Sequence, residues 1–201
     1  MIRDFLEKMI LEGRVPGFVY LKKILWGLAF LLPLLIFLNP QNFRDFADAG
    51  WSILIAVMLV RPLADVFPRI KIFRTLVLLR QEFGVMSALL LMAHFVGFAM
   101  MKDGGVIGVL MSPTYWDLKR FFGWGMLGLV FVIPVLLTSN KWAMIKMKKW
   151  WKRIQKLSYV FFIFGGVHVF MVGEESGIVG IVLVGMFWLL AEFKIVLLKK
   201  N

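Results

Sequence analysis

Six stretches of this chain are apolar on every side for close to the ~20 residues that a helix needs to cross a bilayer core, and polar residues collect between them. They cover about residues 18–38, 47–67, 82–101, 119–138, 154–172 and 178–198. Pro33 falls inside the first and predicts a kink rather than a break, because lipid-embedded helices tolerate proline. Asn39-Pro40 stops that run. Arg61 and Asp65 lie four apart and can pair where the second run leaves the membrane. Ahead of all six, Ile2, Phe5, Leu6, Met9 and Ile10 recur at helical spacing among Arg3, Asp4, Glu7 and Lys8. That pattern predicts a short amphipathic helix over residues 1–15, lying at the interface and ended by Gly13 and Pro16. The expected fold is all-α: one six-helix membrane bundle over residues 16–201, preceded by the interfacial helix.

Composition agrees. The chain is 61% hydrophobic, well above the roughly 45–50% of a soluble domain. It has no cysteine, which excludes disulfides, thiolate zinc, iron–sulfur clusters and covalently attached c-type haem. A net charge of +12 suggests nucleic acid in a soluble protein. Here the charge sorts by connection, as the positive-inside rule requires. The N-terminal segment and the connection after the second run hold five Lys or Arg each, the connection after the fourth holds seven, and the C-terminal end three. The alternate connections hold one, three and none. Both termini are therefore expected in the cytoplasm, and the first run, which lacks a small-residue cleavage motif, is expected to stay as a span.

The only two histidines, His94 and His168, lie within the third and fifth runs. An ionisable group in hydrocarbon is costly and reads as functional, with a partner to be named. Both runs point outward, so both imidazoles sit roughly 8–10 Å below the outer boundary at ~1.5 Å per residue. Two neutral imidazoles at one depth can supply both axial ligands of a b-type haem. Gly97, Gly165 and Gly166 lie within a turn of the histidines and would let a flat macrocycle approach the backbone. Two other readings stay open: buried packing histidines, or proton relays in a small transporter or assembly subunit. A two-histidine zinc or copper site lacks further ligands at that level.

Three stretches bear a family resemblance. They are Leu79-Arg80-Gln81-Glu82-Phe83-Gly84 ahead of His94, Leu137-Thr138-Ser139-Asn140-Lys141-Trp142 after the fourth run, and Trp151-Lys152-Arg153-Ile154-Gln155-Lys156-Leu157-Ser158-Tyr159 ahead of His168. The chain resembles the ferric reductase-like transmembrane family, and within it the haem-binding membrane subunits of bacterial methionine sulfoxide reductase systems. The resemblance implies electron transfer through haem, fed by a flavin such as FMN or by a quinol at the cytoplasmic side. It implies an outer acceptor, either ferric iron or a periplasmic partner such as a methionine sulfoxide reductase. Family members commonly carry a further histidine thirteen residues before the one on the fifth span, where this chain has Gln155. The equivalent position before His94 is Gln81. Glutamine is a poor haem ligand, so one outer haem is expected and no inner one.

The inner level, with Arg80, Gln81, Trp151, Arg153 and Gln155, is where the resemblance implies the flavin or quinol; interfacial anchoring is the plainer role for such Trp and Arg residues. The basic run from Lys141 to Arg153 could dock an acidic reductase or anionic lipid, or could simply set topology. The connection 102–118 could cover the haem edge and meet the acceptor, or form a packed re-entrant loop. No Gly-x-Gly-x-x-Gly or Walker sequence occurs, so a fused nucleotide-binding domain is not expected. Gly123, Gly125 and Gly128 read as glycines easing helix packing within the fourth run. The function expected is that of an electron-transfer component of the plasma or inner membrane, one that needs a partner donor and no nucleic acid.

Overall fold

The computed structural model describes residues 8–13 and 15–195. Among them every regular element is helical. A single π-helical turn, Lys8–Glu12, is the described part of the expected amphipathic helix, whose Ile2, Phe5 and Leu6 lie outside the described residues. The principal helices are α1 (Phe18–Leu31), α2 (Phe43–Val66), α3 (Lys71–Val77), α4 (Arg80–Met100) and α5 (Gly105–Met111). They continue as α6 (Phe121–Leu137), α7 (Lys141–Met147), α8 (Lys149–Gln155), α9 (Leu157–Met171) and α10 (Ser176–Glu192).

Four continuous helical stretches are long and apolar enough to cross a membrane: Phe18–Phe37, Pro40–Val66, Arg80–Met100 and Lys149–Met171. A fifth counts if α6 and α7, bent by 87°, are taken as one. The sixth apolar run yields α10, shorter at 17 residues. Helix was expected there to Leu198, but it stops at Glu192, with Lys194 at φ 53° just beyond; residues 196–201 lie outside the described part.

Local chemistry explains the boundaries. Pro33 cannot supply an amide proton, and α1 tightens into a 3-10 segment, Leu32–Phe37, without breaking. The second span starts earlier than its apolar pattern, at Phe43, because a 3-10 turn at Pro40–Asn42 leads into it and takes Arg44 and Asp45 into the helix. Arg61 Nε and Asp65 Oδ2 pair at 2.9 Å at its far end. The sharp bend after α6 is made by hydroxyls. Thr138 Oγ1 donates to Pro134 O and Ser139 Oγ to Val135 O, both at 2.7 Å, while the Asn140 side chain caps α7 by accepting from Ala143 N at 2.8 Å.

The main core joins Trp51, Leu54 and Met58 of α2 to Ala88 of α4, Val132 of α6, Phe161 and Phe162 of α9 and Val184 of α10. Trp51 stacks on Phe162, with ring centres 5.2 Å apart, and its indole donates to Ser176 O at 3.3 Å. A second core seats Leu25 and Ala29 of α1 against Val85, Met86 and Leu90 of α4. The other face of the first span exposes Val19, Ile24, Phe30, Leu31, Leu34, Leu35 and Phe37, as lipid contact requires. Thus α4 packs on α1 and α2, whereas α9 packs on α6 and α10. The two histidine-bearing helices face each other across the bundle from separate helix pairs.

Candidate functional site

His94 and His168 meet. Their ring centres are 6.3 Å apart with planes inclined by 61°. Each ring is held by a backbone carbonyl from a different helix start: His94 Nδ1 lies 2.9 Å from Phe43 O, and His168 Nδ1 lies 2.8 Å from Phe121 O. Phe43 and Phe121 are the first residues of α2 and α6. A carbonyl oxygen only accepts, so each neutral imidazole carries its proton on Nδ1 and keeps the lone pair on Nε2. Neither Nε2 has a hydrogen-bond partner among the described residues. Fixing one ring nitrogen so that the other can ligate is how proteins orient metal-bound histidines.

This donor set fits a particular kind of group. Two imidazoles bonded to one metal at about 2 Å place their ring centres about 6 Å apart. No cluster of three or more His, Cys, Asp or Glu capable of holding a metal ion occurs among the described residues. His94 and His168 would suit a metal that brings its other ligands with it in a prosthetic group, each residue supplying one nitrogen.

The glycines beside the histidines lie against neighbouring helices. A Cβ on Gly97 would lie 2.5 Å from Ile36 Cδ1 and 3.0 Å from Phe43 Cβ; on Gly166, 2.6 Å from Ile181 Cδ1; on Gly165, 3.4 Å from the Trp51 ring. They seat helices against one another. The glycine that makes room for an imidazole is Gly125 of α6, where a Cβ would lie 3.0 Å from His168 Nδ1 and 3.1 Å from its Cε1. From the sequence it read as a packing glycine only. Its one signal was position: it lies four residues into α6, the helix that packs alongside α9.

Aromatic rings complete the surroundings. Phe43 lies 5.4 Å from the His94 ring and 6.0 Å from Phe98. Phe121 lies 5.8 Å from His168 and 3.9 Å from Phe122. These contacts were hidden in the sequence, because they depend on which loop folds back.

At the opposite end, three of the five inner-level residues converge on one turn. Gln81 Nε2 donates to Ser139 O at 2.9 Å, Trp151 Nε1 to Thr138 O at 2.8 Å, and Gln155 Nε2 to Thr138 Oγ1 at 3.0 Å. Arg153 lies over the Trp150 ring at 4.6 Å. Arg80 Nε is buried and without a hydrogen-bond partner among the described residues.

Known proteins bear on this geometry. The haem-binding subunit MsrQ of protein-methionine-sulfoxide reductase from Agrobacterium fabrum is 29% identical over 141 residues, covering 69% of this chain and 61% of its own length. The subunit of the same name from Brucella anthropi is 30% identical over 46% of this chain and 41% of its own. That from Brucella ovis is 28% identical over 60% and 53%. The chain thus spans less than two thirds of the relatives it matches. No solved structure matches it. The model of the ferric reductase like transmembrane component matches residues 31–166, a stretch that contains His94 and ends just short of His168. The chain belongs to the ferric reductase like transmembrane component family.

Proposed function

We propose that this protein carries electrons across the plasma or inner membrane through a single b-type haem held between His94 and His168. The observation that carries the reading is the facing pair of imidazoles, each with its Nδ1 proton given to a carbonyl and its Nε2 free. When bound, the haem supplies one-electron chemistry; the chain supplies its orientation and its dry surroundings. The two carbonyls fix the tautomers, Gly125 leaves space for one ring, and the packed aromatics keep water from the ligands.

The bundle has six spans in this reading, with both termini in the cytoplasm, which puts the histidines near the outer face. The donor is a cytoplasmic flavin such as FMN, or a membrane quinol, reaching the inner level near Arg80, Gln81, Trp151, Arg153 and Gln155. The acceptor is ferric iron or a periplasmic reductase partner. The names of the relatives support a haem and a catalytic partner. Glutamine at positions 81 and 155 supports one haem rather than two.

The test is a dithionite-reduced minus oxidised spectrum of the purified protein, with haem per chain quantified, in wild type, His94→Ala and His168→Ala. One b-type haem, lost or turned high-spin in either variant, is the expected result. A haem-free protein after expression with ample haem would overturn the proposal.

A further inference from the structure

The connection between α4 and α6 is folded, and it packs against the ends of the helices that flank the histidine pair. Gly104 and Gly105, both at positive φ (77° and 59°), reverse the chain directly after α4, a conformation glycine adopts without strain. Helix α5 then drives Val109 (1% exposed) between Ala99 of α4 and Met126 of α6, making a small core of its own. After α5 the chain is pinned by two indoles: Trp116 Nε1 donates to Leu110 O at 2.9 Å, and Trp124 Nε1 to Leu118 O at 3.0 Å. Tyr115, carried between these anchors, lies edge-on to Phe98 (5.9 Å) and Phe122 (5.2 Å). Phe98 touches Phe43, and Phe122 touches Phe121, which are the residues whose carbonyls hold the two histidines. An unbroken set of ring contacts therefore runs from His94 through Phe43, Phe98, Tyr115, Phe122 and Phe121 to His168.

We infer that residues 102–118 form a fixed cap over the histidine pair, with Tyr115 as the residue that closes it. The cap makes the site an outer-sphere electron-transfer centre, closed to water and to small ligands. The inference rests on the proposed haem site for its redox consequence, but not for the cap itself. Ferric bis-imidazole haem carries one more positive charge than ferrous, so a dry, low-dielectric surround favours the reduced form. Opening the cap admits water and lowers the midpoint potential. Because the acceptor cannot touch the metal, it must accept its electron at the surface that Tyr115 and its neighbours present, which excludes acceptors that bind by coordination.

The absence of cysteine gives a clean test that does not need haem. Met126, 4% exposed beneath the cap, is replaced by cysteine and the purified protein is treated with a hydrophilic maleimide. Protection is expected with the cap intact, and labelling at least several-fold faster when Tyr115→Ala or Val109→Ser is added. Tyr115→Phe, which keeps the ring, should preserve protection. In haem-loaded protein, Tyr115→Ala should lower the midpoint potential and speed reoxidation by ferricyanide, with Tyr115→Phe close to wild type. Rapid labelling of Met126→Cys with the cap intact, or protection unchanged by both cap variants, would overturn the cap. A cap that passes while no haem binds would leave the cap standing and sink the haem reading.

Discussion

Gly125 faces the imidazole of His168 so closely that a Cβ there would lie 3.0 Å from Nδ1 and 3.4 Å from Cγ. Contacts that tight force the neighbour to move, and this neighbour is fixed by its bond to Phe121 O. Gly125→Leu should therefore turn His168 off its axis, giving a high-spin or haem-poor protein whose fold is retained. Gly125→Ala should do the same in part. Gly128→Ala is the control, since a Cβ there meets Phe161 at an ordinary 3.6 Å. Absorption and EPR spectra of the three variants check the order; a low-spin Gly125→Leu would remove Gly125 from the site.

The bundle was legible because lipid imposes a single requirement, an apolar surface over a bilayer's thickness, and hydropathy reports that directly. The histidines could be singled out in the sequence because an ionisable group in an apolar run has no bland neighbour to hide among. What could not be read was anything set by direction around a helix axis. Gly97, Gly165 and Gly166 neighbour the histidines in sequence but turn toward Ile36, Trp51 and Ile181. Gly125 sits over forty residues from His168 in the chain and touches it. Helix ends were also partly concealed: Phe43 precedes the apolar run of its span, yet its carbonyl orients His94. The bend after α6 was encoded in the polar Thr138-Ser139-Asn140, whose hydroxyl and amide bonds act over three or four residues and leave no mark on hydropathy.

That bend has an energetic consequence. Gln81, Trp151 and Gln155 all hydrogen-bond to Thr138 or Ser139, so the turn occupies the region between positions 81 and 155. Gln155→Ala should cost about 1–2 kcal/mol through the loss of partly buried hydrogen bonds, seen as a lower thermal midpoint in detergent, with haem per chain unchanged. The double variant Gln81→His with Gln155→His should gain no second haem, because the turn still stands between the new imidazoles. Haem quantified per chain decides this; two haems would show that the turn yields.

Lys22 Nζ lies 3.3 Å from Glu82 Oε1 in the seam between α1 and α4, and Glu82 is only 3% exposed. Removing the lysine leaves a buried carboxylate uncompensated, whereas removing both charges does not. Lys22 is itself 36% exposed, so the penalty belongs below the usual range for a buried pair, at about 2–3 kcal/mol for Lys22→Met. Lys22→Met with Glu82→Gln should recover most of it. Thermal unfolding of the single and double variants in one detergent tests the coupling, and additive losses would argue that the pair carries none.

Asp48 is the carboxylate placed to act on His94. Asp48 sits on α2, five residues beyond the Phe43 carbonyl that holds His94, and its charge acts on the His94 ring. A negative charge near the metal stabilises the ferric form, which carries the extra positive charge, and so lowers the midpoint potential. Asp48→Asn keeps size and shape while removing the charge, and should raise the potential. Screened at an effective dielectric of ~20, such a charge is worth on the order of 1 kcal/mol, or about 40–50 mV for a one-electron couple. The direction is opposite to that expected for Tyr115→Ala, so the two variants separate charge from solvent access at the same centre. Potentiometric titration of wild type, Asp48→Asn, Tyr115→Ala and the double variant would show both shifts and, if the effects are independent, their sum in the double variant. An unchanged potential in Asp48→Asn would mean that the charge of this carboxylate does not reach the histidine pair.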